Sequence, residues 1–323
     1  MNEFDLIARY FAPLATAPGA FGLKDDAAAI PPRPGFDLIV TTDQIAEGTD
    51  FFKHDPPDTI AKKALRVNLS DLAAKGAVPD CYLLNLALPH GMTEEWLAGF
   101  TAGLREDQAQ YGLSLLGGDT SATEGPLAIT ITAFGFAPQG RMVKRSGARP
   151  GDALYVTGSI GDSAGGLAIF KRERHALTET QRDELVARYR VPEPPVAFGI
   201  RFLRDLATAS IDISDGLVAD LGHVAAASHV KIEIEAKSIP RSEALRAFWG
   251  DAPEAIIRAA TGGDDYQIAF TADPAREAEI RAAAEEAHIA VARIGVASAG
   301  EGVALLHDDV ALSVPKSGYR HFS

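Results

Sequence analysis

Short apolar runs alternate along this chain with longer stretches in which apolar residues recur every three or four positions. That pattern predicts strands between helices. Phe4, Ile7, Ala8 and Phe11 place a short helix over residues 1–11. Residues 37–42 (DLIVTT) form an unbroken apolar run ending in two threonines, which predicts a buried strand. Ile60, Ala64, Leu65, Val67, Leu69 and Leu72 follow helical spacing over residues 56–76, with Pro56 and Pro57 suited to a first turn and Gly76 to the end. A strand over 81–88 is closed by Pro89, a helix over 93–111 has Thr93 as N-cap, and a short buried strand over 113–116 runs into Gly117 and Gly118. Residues 127–136 alternate and β-branch like another strand.

Residues 138–152 break the pattern, being rich in Gly, Pro and basic side chains and nearly free of large apolar ones. This predicts a domain boundary: an N-terminal domain over 1–140, a linker over 141–152 and a C-terminal domain over 153–323. The second half repeats the mixture, with strands over 153–157, 211–213, 231–234, 267–270 and 290–296 and helices over 163–170, about 195–208 and 274–288. Strands interleaved with helices indicate an α/β or α+β layered architecture.

Length and composition agree with this. The 323 residues and 46% hydrophobic content are enough for two cores. The net charge of −13 argues against a nucleic-acid partner held by bulk electrostatics. The one cysteine, Cys81, cannot form an internal disulfide, so the chain reads as cytoplasmic. No apolar run reaches the ~18 residues of a membrane span.

The acidity is punctuated. Asp25 and Asp26 follow Gly22, Asp43 follows the DLIVTT run, and Asp71 falls in the helix pattern among Leu69, Leu72 and Ala73. Asp119 follows Gly117-Gly118, Asp212 and Asp215 belong to Ile211-Asp-Ile-Ser-Asp-Gly216, and Asp264 and Asp265 follow Gly262-Gly263. Most stand at the ends of apolar strand-like runs, where α/β sheets place ligand sites. A glycine beside a carboxylate lets backbone approach a phosphate. Asp71, near a buried helix stripe, calls for a cation partner. Each residue taken alone reads more readily as an ordinary turn or cap. As a set they point to hard-cation binding, with Mg²⁺ shared between carboxylates and substrate phosphates.

Other phosphate chemistries are excluded. No Gly-Lys dipeptide exists, hence no P-loop, and no HRD, DFG, HExxH or CxxC pattern occurs. The glycines of 158–166 either cradle an anion at a helix start or, as favoured here, permit tight packing. In the basic segment Arg141-Met-Val-Lys-Arg145, Arg145 suits bidentate phosphate contact; a solvated linker is the alternative.

The motifs resemble the thiamine-monophosphate kinase family, within the aminoimidazole ribonucleotide synthetase and selenophosphate synthetase superfamily. They occur in order from the first helix to the C-terminus: Asp5-Leu-Ile-Ala-Arg-Tyr-Phe11, Asp25-Asp26-Ala-Ala28, Thr41-Thr42-Asp43, Lys63-Ala-Leu-Arg-Val-Asn-Leu-Ser-Asp71, Gly117-Gly118-Asp119-Thr120, Arg145-Ser-Gly-Ala-Arg-Pro-Gly-Asp152, Gly161-Asp-Ser-Ala-Gly165, Ile211 to Gly216, Gly262-Gly263-Asp-Asp-Tyr266 and Gly318-Tyr-Arg-His-Phe322.

The resemblance implies a two-domain PurM-like fold, with a mixed N-terminal sheet forming a homodimer interface, an α/β C-terminal domain, and ATP between the domains. It implies Mg²⁺ on Asp26, Thr41, Thr42, Asp43, Asp71, Asp119, Asp212 and Asp215, with Asp43, Asp71 and Asp119 catalytic through metal. It implies ATP contacts at Gly118, Asp119, Arg145 and Ser214, and thiamine monophosphate near Asp50, Asp264 and Tyr319. The chain departs from the family pattern at Lys24, where Gly is usual, at Asp50, where His is expected, and at Asp264, where Glu is expected. The implied reaction is in-line transfer of the ATP γ-phosphoryl group to thiamine monophosphate. The alternatives are another ATP-dependent enzyme of the superfamily, such as an aminoimidazole ribonucleotide synthetase-like ligase, and a non-enzymatic nucleotide-binding scaffold.

Overall fold

The computed structural model describes residues 3–174 and 176–319. His321 and Phe322 of the terminal motif, and the first two residues of the expected opening helix, lie outside this range. The chain divides into two compact units. The first runs through Leu72 and takes in Ala77–Arg141; the second comprises Ala73–Gly76 and the chain from Met142 onward.

The first unit is built on four strands, β1 (Phe36–Ala46), β2 (Val78–Pro89), β3 (Ser114–Thr123) and β4 (Ala128–Pro138), in the order β1-β4-β2-β3. β4 is antiparallel to β1 and β2, whereas β2 and β3 are parallel, so the sheet is mixed. The helices are α1 (Glu3–Leu6), continued by a π-helical turn to Phe11, α2 (Pro57–Ala74) and α3 (Glu94–Tyr111). The Thr93 hydroxyl caps α3 by accepting from the Trp96 amide, and Gly112 ends it in the left-handed conformation. Leu65, Leu69 and Leu72 of α2 are fully buried together with Tyr82, Ile131 and Phe100, the core beneath the sheet.

Two expectations need correction here. The DLIVTT strand is half-exposed: it lies at the sheet edge, and Phe36, Leu38 and Val40 are 48, 44 and 53% exposed on one face while Ile39 and Ile45 point inward. A continuous apolar run reads as buried on both sides, but the pleat still sends alternate side chains to opposite faces. The strand expected to stop at Leu116 instead runs to Thr123, carrying Gly117, Gly118 and Asp119 within it. A register shift opposite Tyr82 and Leu83 absorbs one extra residue, and the pairing then continues with Asn85 opposite Asp119.

The second unit has seven strands, β5 (Ala153–Thr157), β6 (Ala209–Asp212), β7 (Lys231–Glu235), β8 (Ile268–Ala272), β9 (Val291–Ser298), β10 (Gly302–His307) and β11 (Val310–Ala311), in the order β11-β10-β7-β9-β5-β8-β6. Among the described residues of this unit, only β10 and β7 pair in parallel. Its helices are α4 (Asp162–Phe170), α5 (Glu179–Arg190), α6 (Val196–Phe198), α7 (Arg204–Leu206), α8 (Leu217–Ser228), α9 (Glu243–Trp249), α10 (Pro253–Ala260) and α11 (Glu277–Glu286). The helix expected over 195–208 is interrupted by a π-helical turn at Gly199–Leu203, and the one over 274–288 opens with a 3-10 turn. The core gathers Leu154 and Val156 of β5, Ile211 of β6, Ile232 and Ile234 of β7 and Leu217 and Leu221 of α8.

The pairing directions fix where loops emerge. β5 and β6 both run antiparallel to β8, and β5 antiparallel to β9. The segments after β5 and β6 and before β8 and β9 therefore share one end of the sheet. Two backbone bonds register this: Gly158 N–H to Ala290 O at 2.9 Å and Ile213 N–H to Gln267 O at 2.8 Å.

Candidate active site

In the first unit, β1 and α2 bring three of the singled-out residues together. The Thr41 hydroxyl donates to a carboxylate oxygen of Asp71. Asp43, two residues along the same strand and so on the same face, is held against Asp71 as well. Its carboxyl is pushed up to about 7 by burial first, then by the charge of and hydrogen bond with Asp71, then by the charge of Asp50. Asp50 arrives through the tight turn after β1, where its carboxylate accepts the Ala46 amide at 2.8 Å. Lys63, fully buried in α2, anchors the same turn by donating to the Asp50 carbonyl at 2.8 Å. Thr42 faces the other way and bonds to Ile131 O at 3.1 Å and the Thr132 hydroxyl at 3.0 Å.

The remaining first-unit residues assemble elsewhere on the sheet. Asp26, Gly118 and Asp119 line a cavity of about 420 Å³, with Asp25 and Thr120 beside them and apolar side chains such as Phe11, Leu23, Leu84 and Leu116 on its other walls. Gly118 is required there: its φ is +151°, and a Cβ would lie 1.8 Å from the Leu84 carbonyl oxygen. Asp26 and Lys24 are both exposed. In register, Asp43 lies opposite Ile131, which pairs with Leu84, which pairs with Gly118. Three interstrand spacings, about 14 Å of backbone, thus separate the Asp43 and Gly118 positions.

In the second unit, Asp212, Ser214, Asp215, Asp264 and Tyr319 converge. Asp212 ends β6, and the loop after it is laid against residues 263–266: the Asp264 amide donates to Ser214 O and the Tyr266 amide to Ile213 O, both at 2.7 Å. Gly263 permits this approach, since a Cβ would sit 2.7 Å from Ser214 O. Tyr266 Oη donates to the Asp264 carboxylate at 3.0 Å. The C-terminal segment completes the group, with the Tyr319 amide donating to Asp215 O at 2.9 Å and its ring 45% exposed. Arg145 is exposed, in a loop tied down by its own carbonyl, which accepts from the Ser228 hydroxyl, and by the Lys144 carbonyl, which accepts from the Ser210 amide at 2.9 Å.

Sequence reasoning passed over Asp220. This buried residue in the first turn of α8 accepts the amides of Ser214, Asp215 and Gly216 at 3.0, 3.1 and 3.1 Å, holding the loop that presents Asp215. Its carboxyl is pushed up to about 7 by burial and by the charge of Asp215, against the three backbone bonds. An Asp four residues after the Gly of Asp-Gly, at a helix start, was the available signal.

The family described as AIR synthase related protein, N-terminal domain, matches residues 24–137, and its C-terminal domain matches residues 149–308. The thiamine-monophosphate kinase of Caulobacter vibrioides is 40% identical over 99% of this chain and 91% of its own. The chain belongs to the thiamine-monophosphate kinase family. The crystal structure of the Stenotrophomonas maltophilia enzyme of that name is 38% identical, with a TM-score of 0.86 over 97% of this chain and 98% of that one. AaThiL, solved in complex with AMPPCP and TMP, is 32% identical, with a TM-score of 0.79 over 94% and 97%. The two-domain PurM-like fold implied by the motifs is thereby shown.

The donor set fits a hard cation in part. Among the described residues, no three carboxylate, imidazole or thiol groups already converge as a metal cage. The chain has Asp43 and Asp71 pressed together with Asp50 nearby, and the raised proton affinity of Asp43 comes first from burial and then from these neighbouring carboxylates. One or two carboxylates with the rest of the shell left to water and phosphate is what Mg²⁺ uses.

Proposed function

We propose that this chain is an ATP-dependent phosphotransferase that converts thiamine monophosphate to thiamine diphosphate with release of ADP. The observation that carries the reading is full-length identity at 40% to a thiamine-monophosphate kinase, together with the meeting of Thr41, Asp43 and Asp71. AaThiL, which binds AMPPCP and TMP, supports the pair of substrates.

The acceptor is a phosphate monoester with a second pKa of about 6, so it is already a dianion at neutral pH. It needs no general base, which suits a cluster of carboxylates without histidine. Asp26, Thr41, Asp43, Asp71, Asp119, Asp212 and Asp215 are the residues that would hold Mg²⁺, together with Thr42, whose hydroxyl turns to the opposite face of β1, and the ion would supply cancellation of charge between two polyanions. Asp43 and Asp71 hold the charge that a cation relieves, and Thr41 orients Asp71. The cavity beside Gly118 and Asp119 receives the nucleoside against its apolar walls, and Arg145 and Ser214 contact the phosphates. Asp50, Asp264 and Tyr319 serve the acceptor. The connection between the domains runs over 141–152, in keeping with the division of units after Arg141. The exposed row Phe36, Leu38 and Val40 supports a homodimer formed through β1. The lone Cys81, buried and unable to pair internally, suits a cytoplasmic location.

The test is chromatographic: purified protein with ATP, Mg²⁺ and thiamine monophosphate. Thiamine diphosphate that requires both substrates and vanishes with EDTA establishes the reaction. ADP without thiamine diphosphate overturns it in favour of another acceptor.

A further inference from the structure

The loop between α10 and β8 bends through left-handed backbone. Gly263, Asp264 and Tyr266 have φ of +78°, +64° and +50°. Glycine takes that conformation freely, whereas aspartate and tyrosine take it at a cost. Such strain persists only where the surroundings over-determine it.

Here the loop is held from both sides. On one side the Asp264 and Tyr266 amides donate to the Ser214 and Ile213 carbonyl oxygens. On the other, the buried Asp265 turns into the start of α4, where its carboxylate oxygens accept the Gly161 amide at 2.9 Å each. Gln267, next along the chain, is fixed as well: its side-chain oxygen accepts from the Thr157 hydroxyl at 2.9 Å, and its side-chain nitrogen donates to Glu193 O at 3.1 Å.

A clamped backbone still leaves the rotamer of a half-buried carboxylate open. With Asp265 turned into α4 between them, the side chains of Asp264 and Tyr266 meet, and Tyr266 Oη donates to Asp264 Oδ1 at 3.0 Å. Tyr266 is 9% exposed, so its ring is set by packing and its hydroxyl is placed in advance. A hydrogen bond to a charged acceptor is one of the stronger kinds. The device is the one that Thr41 supplies to Asp71 in the first unit.

We propose that Tyr266 is a positioning residue, which aims the Asp264 carboxylate and acts on substrate only through it. The proposal rests on the kinase reading above, which gives Asp264 its ligand; what is new is the group that orients Asp264. The left-handed backbone at 264 and 266 brings phenol and carboxylate to the same side of the loop, which accounts for two strained residues in succession around Asp265.

The experiment compares Tyr266→Phe, Asp264→Ala and the double variant with the native chain, reading KM separately for thiamine monophosphate and for ATP. Tyr266→Phe removes one oxygen and leaves the ring to pack as before. It is expected to raise KM for thiamine monophosphate about fivefold, the scale of one hydrogen bond. KM for ATP should stay within about twofold of native, and the melting temperature should change little. In the Asp264→Ala background the same substitution should have no further effect, because the group it aims is gone. An unchanged KM for thiamine monophosphate in Tyr266→Phe overturns the proposal. A rise for both substrates with a lowered melting temperature also overturns it, since that is general loosening of the loop. A full fivefold effect on top of Asp264→Ala overturns it too, by making Tyr266 a direct contact. Calorimetric titration with thiamine monophosphate reads the same pair without turnover: about fivefold weaker binding to Tyr266→Phe supports the proposal, and equal or absent binding sinks it. A native chain that makes no thiamine diphosphate would refute the kinase reading, and the calorimetry then still decides the role of Tyr266.

Discussion

The Thr41 hydroxyl donates a hydrogen bond to Asp71, tying an edge strand to the middle of a helix thirty residues further along the chain. The bond fixes the rotamer of a carboxylate that would otherwise be free to turn from Asp43. It explains how a site made of single acidic residues, each unremarkable in its own segment, acquires a defined geometry before any ligand arrives.

Asp71→Asn keeps the size of the side chain and the bond from Thr41 while removing one charge. We expect kcat to fall by about 10²–10³ even at saturating Mg²⁺, the scale seen when one electrostatic contact is removed. Near-normal steady-state kcat would rule out the metal-cluster mechanism.

The need for Mg²⁺ should depend on pH. With its carboxyl pushed up to about 7, Asp43 holds a proton below that value, and a proton competes with a cation for the same oxygen atoms. Magnesium titrations at pH 6 and pH 8 should show a weaker apparent affinity at pH 6, by roughly tenfold per unit at most. Asp43→Asn should flatten this dependence. An apparent affinity unaffected by pH in the native chain would contradict the crowding of Asp43 and Asp71.

Asp220 makes a separate prediction about stability. Its folded value of about 7 is raised above the ordinary 3.8, so its contribution is fully present below about 3.8 and is lost as pH rises through 7. Asp220→Asn removes this term while retaining an oxygen for the Ser214, Asp215 and Gly216 amides. Thermal melts between pH 4 and 8 should decline for the native chain relative to the variant. Asp220→Ala, which frees three buried amides, should lower stability at every pH by a few kcal/mol, at about 1–3 per unsatisfied group.

Gly118→Ala places a methyl 1.8 Å from the Leu84 carbonyl oxygen, at a backbone angle foreign to alanine. Neither strand can yield without breaking the β2–β3 pairing. Loss of more than about 3 kcal/mol is expected in denaturant titration, with ATP binding lost in parallel. A Gly118→Ala chain of native stability would contradict the close approach of β3 to the Leu84 carbonyl.

Val40→Asp should dissociate the proposed dimer. Val40 is 53% exposed in a row with Phe36 and Leu38, and a charge in such a patch is incompatible with burial against a second copy. Sedimentation should show a monomer, while the melting temperature of the unit itself changes little. Monomeric native protein would remove the reason for the exposed row.

Local pattern accounts for much of this protein. The spacing of Ile60, Leu65, Leu69 and Leu72 determined α2, and the Thr93 cap opened α3, because these signals act within a few residues. The carboxylates were legible as candidates, since most are attached to a glycine or to the end of an apolar run and Asp71 stands in a buried helix stripe. Helices α5, α8, α9 and α10 were not drawn from the sequence; alanine-rich α8, for example, leaves little contrast between its faces. Only tertiary structure decided that Phe36, Leu38 and Val40 face outward, because an edge position is a property of the whole sheet order. It alone brought Asp43 to Asp71, Tyr319 to Asp215 and Asp265 to Gly161, each joining segments far apart in the chain. Sequence spacing carries the chemistry of such residues but not their distances, which are fixed by strand register and by the packing that buries them.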